Sequence, residues 1–389
     1  MIEISASTRF PLGMPPARFL GEYWQRRPLL VRGAFPGFRA PLSPEDLAGL
    51  ACEELALARL VTHEPVSDRW AVRSGPFTEA DFAHLPKSHW TLLVQDVDKW
   101  DADVAGLLAN FDFLPSWRID DVMVSYAEDG GSVGAHVDQY DVFLLQGQGR
   151  RHWQINADPE APQDFRPDVE LKLLSEFKPT HDWVLEPGDM LYLPPGLAHH
   201  GVALGPCLTF SIGMRAPAQA EMVADFAGFL AERLAESARY SDAGMAPARA
   251  HGEIDDAALD RIQQALQDSL SVDASLLRRW FGSFITRYRA AHEALPRSPP
   301  LSAATLARRL RAGATLVVNP WSRLAWSKDR SRAILFVAGE PMPCSRTLAA
   351  ALCRREPMAC AEPDRATLEL LLALVNGGHL AFGRKRNKP

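Results

Sequence analysis

The sequence holds only five cysteines, Cys52, Cys207, Cys344, Cys353 and Cys360, and no two of them form a CxxC pair. An odd, scattered set excludes a disulfide framework and a zinc ribbon, and reads as reduced thiols in a cytoplasm. No apolar run approaches the roughly 18 residues of a membrane span. The opening residues, MIEISASTRF, lack the basic and apolar regions of a signal peptide. A cytoplasmic location is therefore expected. There are no clear internal repeats and no low-complexity tract.

At 389 residues the chain is long for one domain, so two or three are expected. The net charge of −6 hides an asymmetry. Residues 297–389 carry 16 Lys+Arg and 6 Asp+Glu, a balance of +10, which leaves −16 for the remainder. An acidic body attracts a basic substrate. The basic stretch either approaches nucleic acid or is simply a solvated face.

Pro16 to Arg26 has a short helical pattern, and RPLLVRGAF after it reads as a strand. In PLSPEDLAGLA, Ser43 as cap, Pro44 at the first helical position and acids in the first turn start a helix. From Trp90 to Ile212 short β-type runs recur: WTLLVQDV, DVMVSYA, DVFLLQG, RHWQIN, DWVLEPGDMLYLPP and LTFSIGM. Turns rich in Gly and Pro separate them, among them Asp129-Gly130-Gly131, Pro187-Gly188-Asp189 and Pro194-Pro195-Gly196. Such a series predicts a barrel or jelly roll. After Arg215 the strands stop. Pro217 to Tyr240, DDAALDRIQQALQDSL and DASLLRRWFGSFITRYRAAHEAL each carry apolar residues at helical spacing. Three helices of this kind bury faces against each other or against a second copy. PRSPPLS reads as a linker. Beyond it come a helix (Ala303 to Arg311), a strand (Thr315 to Asn319), a hairpin through Ser327 to Arg330 and two further helices, the order of a small winged-helix module.

The stretch GAHVDQYDVF, Gly134 to Phe143, sets His136 and Asp138 two residues apart in a strand-like apolar run. Residues i and i+2 of a strand share a face, and a carboxylate buried there needs a neutralising partner. Downstream, EPGDMLYLPPGLAHHGVAL supplies His199 and His200 directly after a tight turn. Two imidazoles and one carboxylate with open positions left over form the facial triad of non-haem Fe(II) oxygenases. Spacing alone leaves either histidine free to complete it. In GRRHWQI, alternation puts Arg151 on one face with Trp153 and Ile155. An arginine on an apolar barrel face needs an anionic partner, and 2-oxoglutarate offers its distal carboxylate to such a residue. Arg150 faces the other way.

At these residues the chain resembles a known family. HVDQYDVFLLQGQGRRHW, EPGDMLYLPPG and FSIGMRAP look like the JmjC-type ribosomal oxygenases, closest to the bacterial arginine hydroxylases of large-subunit ribosomal protein L-sixteen. RRPLLVRGAF, LPSWRIDDVMVSYAEDGG and the order of helical bundle and winged helix extend the resemblance over nearly the whole chain. It implies a double-stranded β-helix (jelly roll, cupin/JmjC) oxygenase domain at 1–216, a helical dimerisation region at 217–296 and a winged-helix-like module at 297–389. It implies iron ligation by His136, Asp138 and, from the PPGxxH spacing, His199, and 2-oxoglutarate binding by Arg151 and Ser125. The expected reaction is C3 hydroxylation of an arginyl side chain of that ribosomal protein, with Fe(II) and 2-oxoglutarate as cofactors, in a homodimer. An acid should hold the guanidinium, and Glu128, Asp129 and Asp141 are the candidates.

Two alternatives stand beside this reading. Lysine demethylation, or hydroxylation of another protein residue, would use the same cofactors; no reader domain or zinc finger accompanies the chain to suit a chromatin role. A non-enzymatic metal- or nucleic-acid-binding protein would have no need of a carboxylate anchor at Arg151.

Overall fold

The computed structural model describes residues 2–6, 12–248, 250–288 and 291–383. Residues 289–290 of the third amphipathic segment, and 384–389 at the end of the basic stretch, lie outside the described residues. The chain divides into two compact units, Met1–Ala216 and Pro217–Pro389.

The first unit is built on an eleven-stranded sheet. Its middle is a pair of long antiparallel strands, Val142–Asn156 and Ala198–Met214. Their register shifts between Leu204 and Thr209, and irregularities of this kind bend and twist a sheet. Met190–Leu193 and then Leu29–Arg32 extend it on one side. Ile119–Ala127, Trp90–Val94, Ala58–Glu64 and Arg69–Ser74 extend it on the other.

Both faces of the central strands are covered, which explains why their sequences read as continuous apolar runs. Phe143 and Leu145 enter one core with Leu29, Val31, Met190 and Tyr192. Val142 and Leu144 enter a second core with Leu30, Leu191, Leu193, Trp153 and Ile155. The alternation is strict, so a register slip of one residue would exchange the two sets. Helix Pro44–Ala51 caps as its sequence suggests: Ser43 accepts from the Asp46 backbone and Asp46 reaches back to Ser43.

The second unit holds helices Gln219–Ala231, Asp256–Leu270 and Ala274–Arg287. The periodic pattern of the first runs on to Tyr240, but the helix ends at Ala231. There Arg233 donates to the Phe229 carbonyl (2.6 Å), which satisfies one of the last free carbonyls. Helix Ala303–Arg311, strand Thr315–Val318, the hairpin of Leu324–Asp329 and Arg332–Val337, strand Glu340–Cys344, and helices Arg346–Cys353 and Arg365–Asn376 follow in the expected order. Leu306, Leu310, Leu316, Leu335, Leu371 and Leu374 form its core. Packing crosses the boundary expected near residue 296. Helix Ala274–Arg287 buries Trp280, Phe284 and Ile285, and its Thr286 hydroxyl accepts the Gly339 N–H of the hairpin sheet (3.0 Å).

Candidate active site

Register brings the chemistry together. His199 lies opposite Ile155 on one side and His136 on the other. Two positions along, Gly201 lies opposite Trp153, and two further, Ala203 lies opposite Arg151. Directly opposed residues share a face, so His136, His199, Trp153 and Arg151 look into one interior. A Cβ on Gly201 would come 2.7 Å from Trp153 and 2.8 Å from Arg151 Nε. Glycine is what allows both side chains to lie across the strand at that point.

The ligating atoms of His136, Asp138 and His199 lie within 4.8 Å of one another. Asp138 Oδ2 is 3.9 Å from His136 Nε2 and 3.7 Å from His199 Nε2. A single ion with bonds of about 2.1 Å to each can bridge such gaps. The tautomers suit it. His136 Nδ1 lies 3.0 Å from the Gly134 carbonyl, and His199 Nδ1 lies 2.9 Å from that of Leu197. A carbonyl only accepts, so each Nδ1 carries the proton and each Nε2 turns its lone pair inward. Burial, and then the charge of His136, holds the His199 pKa well below its ordinary value, so this imidazole stays neutral.

The segment between Asn156 and His181 fixes both ligand-bearing turns. Leu174 N–H donates to the Ala135 carbonyl (2.9 Å) just before His136. Gln163 Nε2 donates to the Gly196 carbonyl (3.0 Å) in the turn that launches His199. Gly196 N–H in turn donates to the Asp138 carbonyl (2.8 Å). Gly134, at φ +79°, leaves room for Leu173, whose Cδ2 would be 2.6 Å from any Cβ there.

Arg151 is 3% exposed, and burial lowers its pKa. Its terminal nitrogens reach Ser125 Oγ (3.4 Å) and the Gly201 carbonyl (3.3 Å), both long contacts. Nε has no partner, and among the described residues no carboxylate pairs with it. Trp153 lies between it and the triad, 5.1 Å from the guanidinium carbon and 6.0 Å from the His199 ring. The Trp153 indole N–H and the Thr91 hydroxyl are buried without partners too. Thr91 shares a strand face with Leu93, which opposes Ser125. Buried polar groups are almost always satisfied in a folded protein, so this group of orphans suits a polar, anionic guest.

The remaining candidates are dispersed. His200 faces away from the triad, opposite Gln154. Its ring meets Phe177 edge to face at 6.0 Å, and its pKa is pushed down to about 4, chiefly by burial. Glu128 accepts the Tyr126 hydroxyl. Asp129 is exposed and accepts Gly205 N–H (2.8 Å). The expectation for Asp141 is corrected. It is 0% exposed, and its carboxylate accepts from Tyr192 Oη (2.7 Å), Arg118 Nη2 (2.9 Å) and Gln25 Nε2 (3.0 Å). That oxygen pair is saturated and faces the interior, so it ties the start of strand Val142–Asn156 to strand Met190–Leu193. Asp141→Asn is expected to lower stability by about 2 kcal/mol, the scale of a hydrogen bond to a charged group. A urea unfolding midpoint equal to wild type would contradict it.

Sequence reasoning missed Thr91, Tyr140 and Asp121. Tyr140 lies beside Asp138, and its phenol pKa is raised, first by desolvation and then by that carboxylate. Asp121 acts on the same phenol. Its own pKa is raised to about 7, by burial first and then by Asp96. Alternation could have found it: Asp121, Met123 and Ser125 are spaced by two on one strand.

Comparison with known proteins follows the same lines. The JmjC domain family matches residues 106–222, and the ROXA-like winged helix matches residues 264–381. The ribosomal protein uL16 3-hydroxylase of Escherichia coli is 36% identical over 94% of this chain and 96% of its own. The chain belongs to the JmjC-type ribosomal oxygenases. A probable ribosomal oxygenase of Haemophilus influenzae is 42% identical over 53% of this chain and 51% of its own. The structure of the E. coli ribosomal oxygenase YcfD in complex with cobalt and 2-oxoglutarate superposes with a TM-score of 0.83 at 33% identity, over 96% of this chain and 99% of that one. The curved sheet of the first unit is thus the JmjC jelly roll, and the second unit contains a winged helix. No helix among the described residues is long and apolar enough to cross a membrane.

Proposed function

We propose that this protein is a cytoplasmic Fe(II)- and 2-oxoglutarate-dependent oxygenase that hydroxylates C3 of an arginyl side chain in ribosomal protein uL16. The observation that carries the reading is the buried, acid-free Arg151 on the sheet face that holds His136 and His199, with Asp138 converging on both. His136, Asp138 and His199 would hold Fe(II) through two neutral imidazoles and one carboxylate. Arg151, with Ser125 beside it, would hold the distal carboxylate of 2-oxoglutarate. When bound, the metal and co-substrate supply O2 activation coupled to oxidative decarboxylation, with succinate, carbon dioxide and a hydroxylated C–H bond as products.

The chain's own residues decide which bond reacts, because proximity selects the target carbon. The Nδ1–H bonds to Gly134 and Leu197 keep both imidazole lone pairs aimed at one point. His199 is buried, whereas the His136 and Asp138 side chains are 23% and 24% exposed, so the ligand set opens toward solvent on their side. Asp121, near Tyr140 and on the strand of Ser125, is the acid best placed to accept a guanidinium; a cation arriving there would favour its ionised form. Glu128 and Asp129 lie farther along the sheet, at Trp90 and Gly205, and would act on a basic substrate only at longer range. The name of the E. coli relative and the acidic charge of residues 1–296 support the choice of uL16. Intact mass spectrometry of ribosomal proteins from cells with and without the gene should show a shift of roughly 16 Da, one inserted oxygen atom, on uL16 alone. An unshifted uL16 would remove this substrate.

The active form is proposed to be a homodimer formed through residues 217–296. Helix Asp256–Leu270 buries none of its residues. Leu259, Ile262, Leu266 and Leu270 are 53%, 42%, 58% and 53% exposed, at the spacing of one helical face. Sedimentation should give a dimer at micromolar concentration, and Leu266→Glu should give a monomer. A wild-type monomer under those conditions would refute the assembly.

A further inference from the structure

We propose that Lys99 is a positioning residue for the substrate: it fixes the turn from Asp96 to Lys99 against strand Ile119–Ala127 and so holds the Asp121 carboxylate in the orientation an arginyl guanidinium requires. This role rests on the reading of Asp121 as the acid that accepts the guanidinium. Strand Trp90–Val94 pairs with Ile119–Ala127 from Thr91 opposite Ala127 to Val94 opposite Val124, so Asp120, Asp121 and Val122 lie beyond its end. The chain turns there. Asp96 sits at φ +56°, in the left-handed region that Asp tolerates better than most side chains, and the short helix Val97–Trp100 follows.

That turn grips Asp121 at three points. The Asp96 N–H donates to Asp121 Oδ2 (3.0 Å). Lys99 Nζ donates to the Asp120 carbonyl (3.1 Å), which belongs to the peptide bond before Asp121. Asp98 Oδ1 accepts the Val122 N–H (2.8 Å), which belongs to the peptide bond after it. Lys99 ties the three together, because its Nζ also donates to Asp98 Oδ2 and lies 3.5 Å from Asp96 Oδ1. Its side chain is only 9% exposed. A buried ammonium is tolerated only where it is paired and hydrogen-bonded, and here each of its contacts leads to a group that holds Asp121.

The grip leaves one oxygen free. Among the described residues Asp121 Oδ1 accepts no hydrogen bond and the carboxylate makes no ion pair. Gly213 stands directly opposite Asp121, and a Cβ there would come 3.2 Å from Oδ1, so glycine keeps that oxygen open. With Oδ2 pinned, the carboxylate is held in one orientation, and a guanidinium meets a carboxylate as a planar fork. Asp121 and Ser125 share a strand face four residues apart, about 13 Å along the strand, and Ser125 touches Arg151. One strand face thus carries both the acid for the guanidinium and a contact to the 2-oxoglutarate arginine. Burial first, and then Asp96, raise the Asp121 pKa to about 7, and Lys99 acts against that rise. The lysine therefore favours the carboxylate form that a cation needs. Position matters as much as charge, since a misplacement of about 1 Å can cost about 100-fold in rate.

The test measures binding of two labelled uL16 peptides to the full-length protein loaded with Co(II) and 2-oxoglutarate. One peptide carries its target arginine and the other carries citrulline there, which keeps the shape and loses the charge. The wild type should prefer arginine. Asp121→Asn, Lys99→Met and Lys99→Gln should each lose about tenfold or more of that preference, the scale of a hydrogen bond to a charged group, while the KM for 2-oxoglutarate stays at the wild-type value. Lys99→Gln keeps a donor for the Asp120 carbonyl and serves if Lys99→Met does not fold. A purely structural lysine would weaken both peptides alike or shift the KM for 2-oxoglutarate, and either result would overturn the positioning role. If the folded Lys99 variants keep the preference while Asp121→Asn loses it, Asp121 stands as the acceptor and this inference alone falls. If Asp121→Asn keeps the preference, or the wild type shows none, both fall. A preference that follows Lys99 and Asp121 in a protein that leaves uL16 unhydroxylated would keep this inference and remove the proposed reaction.

Discussion

His199→Ala should reduce succinate production to background and abolish tight Co(II) binding, whereas His200→Ala should keep most of both. The two side chains are neighbours in sequence and opposites in the sheet. His199 is 2% exposed and stands opposite His136, with its Nε2 3.7 Å from Asp138. His200 points to the other face, beside Phe177. Removing a partner outside the ligand set typically costs about 10–100-fold in metal affinity or activity, and loss of a ligand should cost more. His136→Ala and Asp138→Ala belong with His199→Ala, because each leaves only two donors. The Co(II) titration separates a lost ligand from a lost fold, since the circular dichroism of all four variants should match wild type. Near-normal turnover in His199→Ala, with an inactive His200→Ala, would mean that the sheet presents the other imidazole to the metal.

How much of this was legible depends on whether a residue's meaning is local. The jelly roll was legible because the runs between Trp90 and Ile212 are apolar and separated by Gly and Pro turns; HxD was legible as a residue pattern, but the strand there is only His136–Val137 and Asp138 lies just beyond it, so strand periodicity does not by itself account for their convergence. Choosing between His199 and His200 was not legible from spacing, because it depends on which face of Ala198–Met214 meets strand His136–Val137, a matter of pairing. Asp141 shows the same limit. Next to a metal-site motif its charge suggested substrate binding, yet its partners Gln25, Arg118 and Tyr192 lie far away in sequence and saturate it. Thr91 was hidden because a lone hydroxyl in a buried strand is usually satisfied; only the structure shows that it is not, as it shows for Arg151 Nε and the Trp153 N–H. The helix ending at Ala231 escaped periodicity because Arg233 folds back on its last turn.

Arg151→Ala should raise the apparent KM for 2-oxoglutarate by about two orders of magnitude while Co(II) still binds. Breaking a buried charge pair by removing one partner typically costs about 3–5 kcal/mol, and each 1.4 kcal/mol is a factor of about ten. Two decades is the conservative end, because Ser125 remains to donate to the carboxylate. The arginine is a costly residue to keep in the resting protein: burial disfavours its charge, Nε goes unpaired, and its two hydrogen bonds are long. The same replacement should therefore leave folding stability unchanged or slightly raised without 2-oxoglutarate, and should remove the rise in Tm that 2-oxoglutarate gives the wild type. Arg151→Lys keeps a charge but loses the planar fork, so its KM should fall between those of wild type and Arg151→Ala. Steady-state kinetics in 2-oxoglutarate at saturating metal, with a parallel Co(II) titration, checks the set. An unchanged KM in Arg151→Ala would place the distal carboxylate elsewhere and return Arg151 to the interior of the sheet as a purely structural charge.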